Sequence, residues 1–351
     1  MKRITYMSHL ARPLSDAEIE ELGAVSSYKN RRDDISGVLI HFSGMFFQII
    51  EGDDVKVTRL FEKICVDSRH TGIVCLKAEH EVEERLFPDW SMQVVNLERA
   101  TDALMRPIRI LLASLLESHG IIEKYTQPSV LGIINAGLNP LCVRPRRVEK
   151  IVFLSDMVSF SLLSERFALE EVADLVNRYL DVASRHLHRN GGEVTKFIGD
   201  SVLAYFAPGD ADAALEAGLD ILAEMAKLRD SARADDVRRL LYCGIGLSRG
   251  EVVEGNFGSS VKLDYTILGD SVNTAARLES LTRQVGKSLI LSADVGRCLK
   301  RHWPLRKLGS LSLKGKKRPV AAYTLDHPLV DQMIGHEQIA RRLRRRAAGP
   351  R

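Results

Sequence analysis

The 351-residue sequence predicts an α+β protein of two domains joined by a helix, and three observations carry that prediction. The first hundred residues alternate strand and helix patterns in the order βαββαββ. Residues 101–147 hold one long apolar-striped helix and then a stretch punctuated by Pro and Gly. After residue 148 an apolar strand ends on a carboxylate, Asp156, and a hairpin turns on another, Asp200. Composition agrees with a soluble globular chain, at 45% hydrophobic and 27% charged residues. The net charge of +4, from 50 basic and 46 acidic residues, leaves no electrostatic footprint for nucleic acid. Five cysteines without a Cys-x-x-Cys pair suggest neither a disulfide framework nor a zinc site, and fit a reducing cytoplasm. No apolar run approaches the ~20 residues that span a bilayer. A cytoplasmic protein with no membrane and no nucleic-acid partner is expected.

Taken in order, Ile4–Ser8 is a short strand pattern. Ser15 to Lys29 has helical spacing, with Ser15 as N-cap and Glu18 completing a capping box. Ile35–His41 and Met45–Glu51 read as a hairpin through Ser43-Gly44, Asp54–Cys65 as a helix, and Ile73–Ala78 and Met92–Leu97 as strands. This order predicts a ferredoxin-like α+β sandwich over residues 1–100. Gln48 interrupts the otherwise apolar run Met45–Ile50. A buried amide left without partners costs about 1–3 kcal/mol, so Gln48 either faces water or meets a specific partner. Tyr6 could share its face of the sheet.

These residues, with Asn30, Ile35–Leu39, Phe46–Gly52, Asp67–His70 and Pro88–Met92, resemble the blue-light-sensing flavin domains known as BLUF. The resemblance implies a flavin, FAD or FMN, inserted between the two helices, with Asn30 on the isoalloxazine edge. It implies that Tyr6 donates an electron and a proton to the excited flavin and that Gln48 then rearranges its hydrogen bonds. Trp90 and Met92 would sit on the last strand and relay the change. Lys29 and Arg31 are candidates for the flavin phosphate and equally for solvated charge.

Leu104 to Tyr125 is predicted as a helix with a broad apolar stripe that includes Ile108, Leu111, Leu112, Leu115 and Ile122. It packs either on its own sensor domain or on a second copy; a self-associating pair is the favoured expectation. Thr126 to Arg147 carries Pro128, Gly132, Gly137, Pro140 and Pro145, and a domain boundary is expected there.

The second domain, residues 148–327, begins with the strand Ile151–Leu154 and a helix over Ser164–Arg189. A hairpin over Val194–Phe206 and a helix over Ala211–Leu228 follow, then a strand over Leu240–Leu247 and a Gly-rich stretch, Gly250–Gly258. That stretch matches neither a P-loop nor a dinucleotide-binding fingerprint. A helix from Ser271 puts Asn273 and Arg277 on one face, four residues apart. A last strand covers Val320–Leu325, and residues 328–351 read as a basic, solvated tail. Asp156 and Asp200, at the ends of two strands, suit hard cations such as Mg²⁺, which keep water or phosphate oxygens for their other positions.

The motifs Phe153–Phe160, Gly192–Asp200, Gly255–Gly258, Asp264–Asp270, Asn273–Glu279 and Leu313–Gly315 resemble the catalytic domain of class III nucleotidyl cyclases, an α/β sandwich that works as a dimer. The resemblance implies that Asp156, Asp200 and the Met157 carbonyl hold two Mg²⁺ or Mn²⁺ ions. Asn273 would orient the ribose, Arg277 would stabilise the α-phosphoryl oxygens, and Lys314 would meet the outer phosphates. Lys196 and Thr266 would read the base: Lys196 suits adenine, although Thr266 stands where many adenylyl cyclases carry Asp. The two resemblances together imply a light-gated homodimer that converts ATP to cyclic AMP, with active sites between subunits. Guanylyl cyclase activity, or a photoreceptor that signals by binding proteins through a degenerate cyclase domain, are the rival readings.

Overall fold

The computed structural model describes residues 1–97, 105–135, 138–233, 235–311 and 319–347. The chain forms two compact units, Met1–Val143 and Arg144–Arg351.

The first unit runs β1 (Lys2–Leu10), α1 (Asp16–Asp33), β2 (Ser36–Phe42), β3 (Met45–Gly52), α2 (Asp54–Cys65), β4 (His70–Glu79), β5 (Gln93–Asn96), α3 (Met105–Tyr125) and α4 (Pro128–Asn135). Its described strands lie in the order β4-β1-β3-β2-β5, antiparallel except for β5 beside β2. The local signals are realised. Ser15 caps α1 in a reciprocal capping box with Glu18, and Ser43 and Gly44 turn the hairpin with φ of 52° and 72°. One sheet face, with Ile4, Tyr6, Leu39 and Ile50, packs on Val57 and Phe61 of α2. The other face buries Met7, Phe47 and Val74 with Leu112 of α3 against them.

Two expectations change here. Trp90 and Met92 stand before β5, in the loop that leads into it. The stretch expected as a linker holds a helix of its own, α4, and a 3₁₀ turn over Pro140–Cys142; Pro128 sits at the first helical position, where its missing N–H costs nothing. On α3, Leu112 faces the sensor sheet while Leu111 and Leu115 are exposed. The side chain of Ile122 lies outside the described residues.

The second unit runs β6 (Arg146–Met157), α5 (Phe160–Ser164), α6 (Leu169–Arg189), β7 (Glu193–Ile198), β8 (Ser201–Phe206), α7 (Ala211–Ser231), β9 (Cys243–Gly258), β10 (Leu263–Leu268), α8 (Asp270–Val285), β11 (Leu289–Ser292), α9 (Ala293–Gly296), β12 (Leu305–Leu311), β13 (Val320–Leu325) and α10 (His336–Ala347). Its described strands follow the order β12-β13-β11-β9-β6-β8-β7, with β10 paired to β9. The Gly-rich stretch is thus the second half of a 16-residue strand. Alternation along β9 sends Ile245 and Leu247 into the core that α6 and α7 cover. Gly244 and Gly246 face α8 on the other side. A Cβ on Gly246 would lie 2.5 Å from the Glu279 amide nitrogen, so glycine is what lets α8 rest on the strand.

The C-terminal stretch also departs from its expected solvated state. Ile339 and Leu343, one turn apart on α10, are buried in the main core, and that apolar pair is enough to dock an otherwise basic helix. Among the described residues, no helix is long and apolar enough to cross a membrane.

Candidate functional site

In the first unit, Tyr6 lies opposite Gln48 in the β1–β3 ladder, so both side chains project from the same sheet face. The Tyr6 hydroxyl donates to Gln48 Oε1, and Gln48 Nε2 lies 3.4 Å from Met92 Sδ. Burial pushes the Tyr6 phenol well above its ordinary pKa, so it stays protonated as a donor at neutral pH. This pair lines a cavity of about 310 Å³ between the two helices, together with Leu22, Asn30, Leu39, Ile64 and Met92. The volume lies at the small end of the ~300–1,000 Å³ usual for small-molecule sites. Lys29, Arg32, Lys63 and Arg69 add positive charge to its lining. An apolar slot with a hydroxyl–amide pair in its wall and cations around it fits a planar, phosphate-bearing ring system such as a flavin. Asn30 is buried and donates to the Ser91 carbonyl at 3.0 Å.

The structure separates the other sensor candidates. Lys29 lines the cavity, but Arg31 is exposed and outside the lining, where the next residue, Arg32, stands instead. Helical periodicity accounts for that, since Leu22, Ser26, Lys29 and Asp33 share the inward face. Trp90 is turned away, 42% exposed and stacked on Phe87 at 5.2 Å. Arg69, which also lines the cavity, holds the Asp67 carboxyl down at about 2 through their hydrogen bonds.

In the second unit, Asp156 pairs with Gly244 across β6–β9 and with Ser201 across β6–β8. Its carboxylate therefore projects from the α8 side of the sheet, where the Ser201 hydroxyl donates to it at 2.5 Å. Asp200 stands beside it in the β7–β8 turn. Burial first, and then the Asp156 charge, push the Asp200 carboxyl up to about 6. Two carboxylates so close repel unless a cation lies between them. The cation present is Arg283 of α8, whose Nη2 donates to Asp156 Oδ2 and, at 3.3 Å, to the Met157 carbonyl. A carboxylate and a carbonyl that already accept a positive charge, with a second carboxylate beside them, fit a divalent cation. Asp156, Asp200 and the Met157 carbonyl would hold it. Glu279, one turn before Arg283, is buried, and its Oε2 accepts from Arg283 Nη1 at 3.3 Å; burial pushes its carboxyl up to about 7.

Lys196 owes its direction to an irregularity. Val194 pairs with Ala204 and Lys196 with Leu203, so Thr195 is an extra residue in β7, a bulge. Its hydroxyl donates to the Leu203 carbonyl at 2.9 Å. The bulge turns Lys196 away from the face of Val194 to that of Leu203, and the ammonium reaches Asp264 on β10 at 3.5 Å. Two residues along β10, Thr266 is buried and its hydroxyl has no hydrogen-bond partner among the described residues. Asn273 is exposed and Arg277 half-buried on α8, on a different side of the helix from Glu279 and Arg283. Within one chain, then, the metal-type and base-type residues form two groups, and Asn273 and Arg277 belong to neither. Lys314 lies outside the described residues. Sequence reading missed Arg283, although its spacing of four from Glu279 marks the two as a helical pair.

Comparison with known proteins follows the same division. Residues 1–93 match the family of sensors of blue-light using FAD (BLUF). Residues 144–327 match the adenylate and guanylate cyclase catalytic domain family. Two solved structures of a bacterial light-regulated adenylyl cyclase are 44% identical to this chain. They superpose with TM-scores of 0.83 and 0.80, each over 98% of this chain and 99% of the other. Photoactivated adenylate cyclase subunit alpha of Euglena gracilis is 31% identical over 83% of this chain and 29% of its own length. Subunit beta of Euglena longa is 31% identical over 83% of this chain and 34% of its own length. The chain thus spans about a third of the curated relatives it matches. With more than half of its residues in the catalytic match and the rest of the pattern shared end to end with a solved relative, the chain belongs to the adenylate and guanylate cyclase family and carries a BLUF sensor at its N-terminal end.

Proposed function

We propose that this protein is a blue-light-activated adenylyl cyclase that converts ATP to 3′,5′-cyclic AMP and pyrophosphate as a homodimer. The observation that carries the chemistry is the adjacency of Asp156, Asp200 and the Met157 carbonyl around a positive charge. Two divalent cations bound there supply charge neutralisation for the triphosphate and a more acidic ribose 3′-hydroxyl. Asp156 and Asp200 fix those charges on one chain, and Ser201 holds the Asp156 carboxylate in orientation.

Lys196 donates to adenine N1 and Thr266 accepts from the exocyclic amine; the unpartnered Thr266 hydroxyl beside the re-aimed Lys196 supports that reading. Asn273 and Arg277, directed elsewhere than Asp156, serve the site of the second chain: Asn273 positions the ribose and Arg277 stabilises charge on the α-phosphoryl oxygens. Lys314 meets the outer phosphates. In the sensor, Tyr6 supplies an electron and a proton, and Gln48 exchanges its bonds to Tyr6 and Met92 for an alternative set. A bound flavin, FAD by the matched family's description, supplies the light absorption and the excited state that accepts the electron.

The deciding measurement is cyclic nucleotide formation from ATP and from GTP, in darkness and under blue light. Light-stimulated cyclic AMP is expected, and Tyr6→Phe should keep the yellow colour but lose both the red shift and the stimulation. Cyclic GTP product of equal yield, or no product from either nucleotide, favours the rival readings.

A further inference from the structure

Arg283 touches two proposed metal ligands at once, and the proposed reaction does not use it. Its guanidinium meets Asp156 Oδ2 and the Met157 carbonyl, a carboxylate and a backbone oxygen brought together at the end of β6. It also meets the carboxylate of Glu279, with Nη2 at 3.1 Å from Oε1 and Nη1 at 3.3 Å from Oε2. Glu279 is held in place. It is 3% exposed, and a Cβ added to Gly244 beneath it would lie 2.6 Å from Oε1. A guanidinium has five N–H donors in one plane, so it can shift weight from one carboxylate to another without leaving either donor set empty.

We propose that Arg283 is a positioning residue of the metal pocket: in the metal-free protein its guanidinium occupies the cation position between Asp156 and the Met157 carbonyl, and it withdraws to Glu279 when a divalent cation takes that position. The inference rests on the reading of Asp156 and Asp200 as metal ligands. Three physical consequences follow. Without metal, the guanidinium screens Asp156 from Asp200 and holds the Asp156 carboxylate in its binding orientation. With metal, retention of the guanidinium on Asp156 would set two positive charges against each other, so the same ion that needs the site drives Arg283 out. Glu279, on the same helix four residues back, keeps the displaced charge paired.

The proposal makes opposite predictions for the two members of the pair, which a purely structural tie would not. Full-length protein, stripped of metal, kept dark and free of nucleotide, is titrated with Mn²⁺, and free Mn²⁺ is read by electron paramagnetic resonance. If the guanidinium leaves Asp156 open about one-tenth of the time, Arg283→Met should bind Mn²⁺ about tenfold more tightly than wild type. Arg283→Lys, whose ammonium cannot bridge both oxygens, should lie between them, and it decides the matter if Arg283→Met does not fold. Glu279→Gln removes the alternative partner and should weaken Mn²⁺ binding. Asp156→Asn is the control and should abolish it.

If Asp156→Asn abolishes binding while the folded Arg283 variants bind Mn²⁺ no better than wild type, Arg283 is a structural tie and the proposal is overturned, with the metal assignment intact. If Glu279→Gln tightens binding, the withdrawal route is wrong and the proposal falls in that form. If Asp156→Asn binds Mn²⁺ like wild type, the metal assignment itself fails and this inference fails with it.

Discussion

Lys196 reaches the neighbourhood of Thr266 because Thr195 drops out of the β7–β8 ladder, and the hydroxyl bond from Thr195 to the Leu203 carbonyl helps hold the irregularity in place. On the proposed reading, base choice depends on a donor at 196 and an acceptor at 266. Exchange of both, in Lys196→Glu with Thr266→Cys, should move preference from ATP towards GTP by at least about tenfold, or about 1.4 kcal/mol, as one or two hydrogen bonds change sense. Competition assays with both nucleotides read the ratio; an unchanged preference in a photoactive double variant would falsify the assignment. In the sensor, Glu51 is buried and collects Arg3, the Ser36 hydroxyl and the amides of Leu86 and Phe87. Burial pushes its carboxyl up, but those amides and Arg3 outweigh it and leave the pKa below the ordinary 4.5. The stabilisation from Glu51 is therefore present above about pH 4.5 and lost as pH falls through the lowered folded value. Glu51→Gln should cost about 2 kcal/mol at neutral pH, with the deficit shrinking in acid as the wild-type carboxyl protonates. Flavin-release temperatures of both proteins across that pH range test it, and a pH-independent gap would exclude the charge as its cause.

At the scale of elements, α8 presents two sets of side chains on different sides. Its inward side rests on Gly244 and Gly246 of β9 and brings Glu279 and Arg283 to Asp156; its other side carries Asn273 and Arg277. The helix α3 is divided in a similar way. Leu112 closes the outer face of the sensor sheet, and Ile108, Ile110, Leu111 and Leu115 remain exposed. An apolar stripe open to water on a 21-residue helix favours a partner helix, which in a homodimer is the same helix of the second chain. If α3 transmits the light signal, Leu115→Lys should leave the flavin red shift intact and alter dark or lit cyclase activity by about fivefold or more, the lower range of ordinary coupling energies. Wild-type spectra together with wild-type activities in both states would remove α3 from the signalling route.

For the whole molecule, the consequential part of the proposed function is a site divided between two chains. On that proposal Asp156 and Asp200 act in one site while Lys196, Thr266, Asn273 and Arg277 of the same chain act in the other, so a symmetric dimer has two equivalent sites. Chains with Asp156→Ala and chains with Asn273→Ala plus Arg277→Ala should each be nearly inactive. When mixed, half of the dimers are heterodimers, each with one intact site of two. Activity should return to roughly a quarter of wild type at equal total protein. No recovery, in a mixture shown to exchange subunits, means that each site is built within one chain.

Much of this was legible before the fold. Signals that depend on near neighbours in sequence were reliable: the Ser15 capping box, the Ser43-Gly44 turn, the helix over Asp54–Cys65 and the hairpin that turns at Gly199-Asp200 all form where the sequence expects them. The pairing of Tyr6 with Gln48 was also within reach, because register and alternation put two polar interruptions on one face. Other features were decided only by residues distant in sequence. Strict alternation assigns Lys196 to the same face as Val194, and only the ladder with β8 exposes the bulge that reverses it. A run of arginines at the C-terminal end reads as solvated until Ile339 and Leu343 find the main core. Arg283 looks like an ordinary helix-surface cation, and its encounter with Asp156, 127 residues away, arises because two glycines on β9 let α8 settle onto the sheet. Local sequence determines which elements form, through caps, turns and periodicity; which charges meet depends on close approaches between elements, and those exist only once the sheet and α8 have packed.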